Sequence, residues 1–373
     1  MIRDPHHRPQ LDALRAFAVL GVLYTHLDRP DSEWGALGVR LFFVISGLLI
    51  TKILLRSRES IDQGKLSRGA ALKTFYIRRG LRIYPAYYTL LLIAAVFNVQ
   101  HIRHVLLYHL LFASNFLFIV RRAYVPWVTA PFWSLSIEEQ FYLLWPFVIL
   151  LVPRHRLRAV IVATILLGTA FRSGSWLLGM SDFAQWFLPP ASLDTLGAGA
   201  LLALSSPQDR WPRWLVPAAV LGCALYMVAQ FPGNISRGAH DPLIATVADT
   251  VAVLPIAAVT ASAFTGIRGF IGRILEAPPL LYIGRISFGI YLWHVFLLPA
   301  LFDFGPRFNP KLAERGTTLF LVGSSLAIAV ASVSWYVIEQ PFNRLKRLFP
   351  YLQVDERGSV LYPRSQLRPR SRR

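Results

Sequence analysis

The chain has 373 residues, 54% of them hydrophobic and 16% charged, with a formal net charge of +19 and a mean hydropathy of +0.46. An average soluble domain carries about 25% charged residues, so this composition excludes an ordinary soluble globule and points to an integral membrane protein. The positive charge does not indicate a nucleic-acid partner, because Lys and Arg gather between apolar runs. The single cysteine, Cys223, excludes an intrachain disulfide and a cysteine-based metal site.

The apolar runs predict ten spans, at roughly 11–28, 36–55, 82–99, 132–152, 159–178, 189–204, 214–231, 243–264, 280–300 and 317–338. The expected fold is therefore an all-α polytopic membrane protein, with about ten transmembrane helices in one bundle. The connections richest in Lys and Arg then share one side, which places both termini in the cytoplasm. No cleavable leader is expected, since Asp12 and Arg15 interrupt the first run. Residues 1–347 form the expected transmembrane domain. Residues 348–373 form a basic cytoplasmic tail, partly disordered and drawn to anionic lipid. The segment 100–131 is apolar but carries His and Arg near both ends, and reads as an interfacial or re-entrant helix on the outer face.

The first run, PQLDALRAFAVLGVLYTH, carries Asp12, Arg15 and His26. At 100° per residue these fall within roughly 60° of one another around a helix, and His26 stands ~16 Å beyond Arg15. Ionisable groups at that depth face a protein interior or a wet cavity and are functional candidates. A plain interfacial Asp12–Arg15 pair is the competing reading. In the second run Arg40 lies near the level of His26, across one short connection, where a cation can hold a carboxylate or an oxyanion. A snorkelling Arg is the alternative there.

The third span begins FYIRRGLRIYP. Arg79 and Arg82 are i, i+3 neighbours at the expected cytoplasmic helix start, a ready phosphate clamp, with Arg78 adjacent but pointing elsewhere. Positive-inside topology alone also accounts for any one of them. In the fourth span Ser134, Glu138 and Tyr142 are spaced i, i+4, i+8 and share a face. The Glu138 carboxylate needs a partner, and a carboxylate orienting a histidine is recurrent acid–base geometry. In the ninth span Ser287, Tyr291 and His294 again share a face, to assist the site, bind substrate or bond between helices. Glu339 is expected at a cytoplasmic helix end where Pro341 stops the helix, paired with an Arg of the 78–82 cluster. Asp194 and Asp249 lie within spans without an assigned partner.

Taken together, RPQLDALRA with His26, GVRLFFVISG, FYIRRGLRIYP, WSLSIEEQFY, SFGIYLWH and EQPF resemble, in order and over residues 8–347, the acyltransferase-3 family of integral-membrane O-acyltransferases. The resemblance implies a ten-helix bundle in the bacterial plasma membrane. It would move an acyl group, most often acetyl from acetyl-CoA, to a hydroxyl of a carbohydrate or glycosylated acceptor. Acyl-CoA would be a donor substrate, with no permanently bound cofactor and no metal. The resemblance makes His26 the essential histidine, acting as general base or transient acyl carrier. Arg15 is its first-helix arginine, Glu138 its motif glutamate, and Arg79 with Arg82, beside Arg78, its CoA-associated arginines. Arg40 or Arg15 would stabilise the oxyanion, and Asp12, Ser134, Tyr142, Tyr291 and His294 would contact substrate. Many members have aspartate where Arg40 stands. Some append an extracytoplasmic esterase-like domain, so the expectation here is either action by the membrane domain alone or hand-off to a separate acyl-accepting protein. A transporter or flippase is the competing class, against which stands the lack of a repeat between the two halves.

Overall fold

The computed structural model describes residues 8–205, 215–229, 242–351, 353–354 and 360–361. It is helical apart from a two-residue antiparallel pairing of Gln353–Val354 with Val360–Leu361. Among the described residues, ten longer helices carry the fold: α1 (Pro9–Leu27), α2 (Trp34–Asp62), α3 (Arg68–Val96), α4 (Phe132–Leu151), α5 (Arg154–Leu177), α6 (Leu193–Ala203), α7 (Leu215–Ala229), α8 (Pro242–Thr265), α9 (Pro278–Phe296) and α10 (Thr317–Ser334). Each overlaps one of the expected spans. Among the described residues, four stretches are long and apolar enough to cross a membrane unaided: α2, α4, α5 and the helical run from Thr317 to Leu348. Counting each of three bent helix pairs as one span brings the number to at most seven.

Several boundaries differ from the sequence-based expectation. Helix α3 starts at Arg68, where the Ser67 side chain accepts from the Ala70 N–H, so it runs well before residue 82. Arg78, Arg79 and Arg82 therefore lie inside a helix and not at its start. Helix α2 likewise continues to Asp62, and its Arg58 is buried. Arg58 Nη1 donates to the carbonyls of Ile149 and Val152, each at 2.6 Å, which gives the carbonyl end of α4 a donor. Pro341 does not stop the last helix. The chain takes one π-turn, Trp335–Glu339, and continues through Gln340–Arg344, with Pro341 in the first turn, where a missing N–H is tolerated.

The segment 100–131 is not one continuous helix. It breaks into short helical pieces, Val99–Val105, Leu106–Leu110, Ser114–Arg121 and Trp127–Thr129, and the chain turns by 105° between α3 and Val99–Leu110. Most of the expected tail lies outside the described residues. Its first part is held from within: Arg78 Nη1 donates to the carbonyls of Lys346 (2.7 Å) and Phe349 (2.9 Å), and its guanidinium lies over the Tyr351 ring.

The centre of the molecule is built by α1, α2, α6 and α9. Small residues let their backbones meet. A Cβ on Gly47 would overlap the carbonyl of Leu196, and one on Gly199 would overlap the carbonyl of Val44, so α2 and α6 approach through glycine on both sides. A Cβ on Gly284 would meet the Asp12 carbonyl, which fixes α9 against α1. This contact brings residues of the first, second, fourth and ninth helices around a shared interior.

A two-chamber candidate active site

Two cavities lie one beyond the other along α2, the larger at residues 35–43 and the smaller at residues 39–46. The larger, about 540 Å³, is lined by His26 and Thr25 of α1, Arg40 of α2, Trp133 of α4, Arg172 of α5 and Arg315, among others. The smaller, about 100 Å³, is lined by Arg15, Ser46, Arg79, Arg82, Glu138 and Tyr142, among others. Val39, Phe43 and Tyr291 line both. Helical spacing places the lining residues of α2 on one broad face, with Phe42 and Arg40 at its edges and Val39 and Phe43 between them.

In the larger cavity, His26 Nδ1 lies 2.8 Å from His294 Nε2, and the two rings stack at 5.0 Å with planes 19° apart. His294 Nδ1 lies 2.8 Å from the carbonyl oxygen of Tyr291, one turn back on α9. A carbonyl oxygen only accepts, so His294 carries its proton on Nδ1 and presents a lone pair at Nε2. That lone pair accepts from His26 Nδ1–H. His26 is thereby fixed in the tautomer whose Nε2 is unprotonated, and His26 borders the cavity. His294 is buried and is not among the cavity-lining residues, with its Nε2 turned to His26.

The expected carboxylate partner of His26 is not Glu138. Glu138 lies in the other chamber and accepts from Ser46 Oγ and from Tyr142 Oη, the latter at 2.9 Å. The i, i+4, i+8 reading of α4 does hold, since Ser134, Glu138 and Tyr142 all line the smaller chamber. Ser134 Oγ and Tyr291 Oη lie 2.6 Å apart, and Tyr291 Oη donates to the Pro131 carbonyl at 3.2 Å.

The cations divide between the chambers. Arg40 and His26 share the larger cavity as expected, but Arg40 is not a free cation, because it is buried against the Asp249 carboxylate with its guanidinium over the Trp186 ring. Arg172 is paired with Asp194 in the same way. The two unassigned aspartates are thus the counter-ions of two cavity arginines. Arg172 and Arg315 were not singled out from the sequence, although an arginine inside the apolar run of α5 is the same signal that marked Arg15. Arg315 reaches the cavity because the Gly316 N–H donates to the carbonyl of Leu27, the residue after His26. On the connection between α1 and α2, burial and the neighbouring Asp249 carboxylate hold Glu33 above the usual carboxylate range.

In the smaller chamber Arg15 Nη1 is 2.9 Å from Asp12 Oδ1, so the interfacial-pair reading is correct in its partners, but the pair is inside the protein and Asp12 does not line either cavity. Arg79 lies over the Tyr142 ring and Arg82 over the Trp335 ring. Among the described residues neither guanidinium lies within 4.0 Å of a carboxylate. Lys346 lies near Arg78, Arg79 and Arg82, with its Nζ on the side-chain oxygen of Asn343. Arg78, engaged with the 346–351 segment, does not line the chamber. Glu339 is buried near Arg82 without reaching ion-pair distance.

A family model described as an acyltransferase domain matches residues 8–337. The chain is 29% identical to the peptidoglycan O-acetyltransferase OatA of Listeria monocytogenes, over 77% of this chain and 48% of that protein. It is also 29% identical to YrhL of Bacillus subtilis, named as a candidate peptidoglycan O-acetyltransferase, over 91% of this chain and 56% of the relative. A Staphylococcus aureus protein named as a candidate O-acetyltransferase matches at 26% identity, over 91% and 58%. The chain spans about half the length of these relatives. No solved structure matches it.

Proposed function

Because the chain belongs to the acyltransferase-3 family, we propose that it is a membrane O-acetyltransferase. In this reading it moves acetyl from acetyl-CoA to a hydroxyl of a carbohydrate acceptor of the peptidoglycan kind. It lies in the bacterial plasma membrane with ten helices across the bilayer and both termini in the cytoplasm. The observation that carries the reading is the chain from the Tyr291 carbonyl through His294 to His26, which leaves His26 Nε2 unprotonated beside a cavity of about 540 Å³.

The acceptor occupies the larger cavity, where Trp127, Trp133 and Trp186 offer faces for a sugar ring. Its hydroxyl gives its proton to His26 Nε2. The hydroxyl oxygen attacks the thioester carbonyl, the C–O bond forms, the C–S bond breaks, and the proton leaves on the CoA thiolate. His294 disperses the positive charge that forms on His26, as an orienting partner does in other acid–base pairs. The donor enters from the side of the smaller chamber. Arg79 and Arg82 favour its anionic phosphates at the chamber mouth, and the thioester end lies within.

Proteoliposomes test the assignment. Radiolabelled acetyl-CoA is supplied on one side and a muropeptide acceptor on the other, and label is followed into the acceptor. Covalently labelled acceptor is the expected result. Movement of an unmodified glycan without label in it would replace this reading by the transporter class.

A further inference from the structure

Three side chains line both chambers. Val39 and Phe43 come from α2 and Tyr291 from α9. All three are buried, and each borders His26's cavity on one side and the Arg79–Glu138 chamber on the other. Tyr291 is held firmly: its hydroxyl meets Ser134 at 2.6 Å and the Pro131 carbonyl at 3.2 Å, while the Phe42 ring stands edge-on to it at 6.2 Å. Phe43 has no polar anchor. Its ring is edge-on to Trp133 at 6.3 Å, on the side of the larger cavity.

Size then limits the cargo. A cavity of roughly 150 Å³ accommodates a benzene molecule, so one of about 100 Å³ accommodates about four non-hydrogen atoms. A thioester sulfur, its carbonyl carbon and oxygen, and one methyl carbon make that number. Resting on the donor reading given above, we propose that Phe43, backed by Val39 and Tyr291, is the partition at which the acyl group crosses between the chambers. The Phe43 ring sets the acyl length to acetyl. At this wall the acyl C–S bond breaks and the acceptor C–O bond forms, the hydroxyl proton passing to His26 Nε2 and on to the CoA thiolate. A longer acyl chain collides with the partition before its carbonyl reaches the acceptor.

The test measures thiol release and acyl transfer by the purified full chain, with acetyl-, butyryl- and octanoyl-CoA as donors and chitohexaose as acceptor. Wild type is expected to favour acetyl over butyryl by at least roughly tenfold in kcat/KM, the scale on which a pocket rejects added methylenes. Phe43→Ala is expected to bring the two donors within about threefold by raising the butyryl rate, with CoA inhibition unchanged. Val39→Ala makes the same test with a smaller change in packing, should Phe43→Ala not fold. Wild type that uses butyryl-CoA as well as acetyl-CoA overturns the partition. So does a folded Phe43→Ala, or Val39→Ala in its place, that keeps the wild-type preference. Wild type that turns over no acyl-CoA at all overturns the donor reading itself, a result distinct from a preserved preference.

Discussion

Glu138 accepts a hydrogen bond from Ser46 Oγ in the smaller chamber, while His26 borders the larger one. The carboxylate expected to orient a histidine therefore lies in a different chamber from His26, and the two should report on separate steps. Glu138→Gln is expected to change the KM for acyl-CoA while leaving the pH dependence of kcat/KM for the acceptor where wild type has it. A pH–rate series on both proteins checks this, and a displaced limb in Glu138→Gln would put the carboxylate back beside His26.

His294 carries the orienting role instead. His294→Ala should lower kcat by roughly a hundredfold, within the usual range for acid–base contributions, with little change in either KM. His294→Gln should recover part of the loss, because its side-chain oxygen can accept from His26 Nδ1–H. Steady-state kinetics of the two variants, with folding confirmed by size-exclusion chromatography in detergent, separates lost orientation from lost structure.

Arg40 and Asp249 form a buried ion pair. Removing one partner leaves a buried charge uncompensated, typically worth about 3–5 kcal/mol, whereas replacing both with apolar residues is often neutral. Asp249→Ala should lower the thermal midpoint clearly, and Arg40→Met with Asp249→Leu should restore it. Thermal unfolding in a single detergent gives the comparison.

The α2–α6 contact has no room for side chains at its two glycines. Gly199→Val should destabilise by about 1–3 kcal/mol or more, through overpacking against the Val44 carbonyl. A valine at Gly64, where a Cβ would meet nothing within 4 Å, should perturb the loop only through its positive φ of 71°. The difference in unfolding midpoint between the two variants is the readout.

Sequence patterns made the helices legible, because each overlaps an apolar run bounded by polar or basic residues. They also placed Ser134, Glu138 and Tyr142 in one chamber, and His26 with Arg40 in another, because helical periodicity fixes a shared face and a short connection fixes a shared level. The pairing of His26 with His294 joins residues 268 positions apart. Periodicity within a helix does not report on which two helices touch. The same applies to Arg58 beneath α4 and to Asp194 and Asp249, whose partners lie on other helices. Local rules also misplaced the ends of α2, α3 and the last helix. Arg58, Arg78 and Pro341 read as boundary residues in isolation, but tertiary hydrogen bonds and a π-turn keep the helices going past them.

The central claim is that His26 Nε2 takes the acceptor proton during acetyl transfer. It is tested most directly by following radiolabelled acetyl from acetyl-CoA into acceptor with purified wild type and His26→Ala, both shown to bind CoA equally. The account predicts label in the acceptor for wild type and a loss of at least roughly a hundredfold for His26→Ala with donor binding intact. Transfer by His26→Ala at the wild-type rate would contradict it.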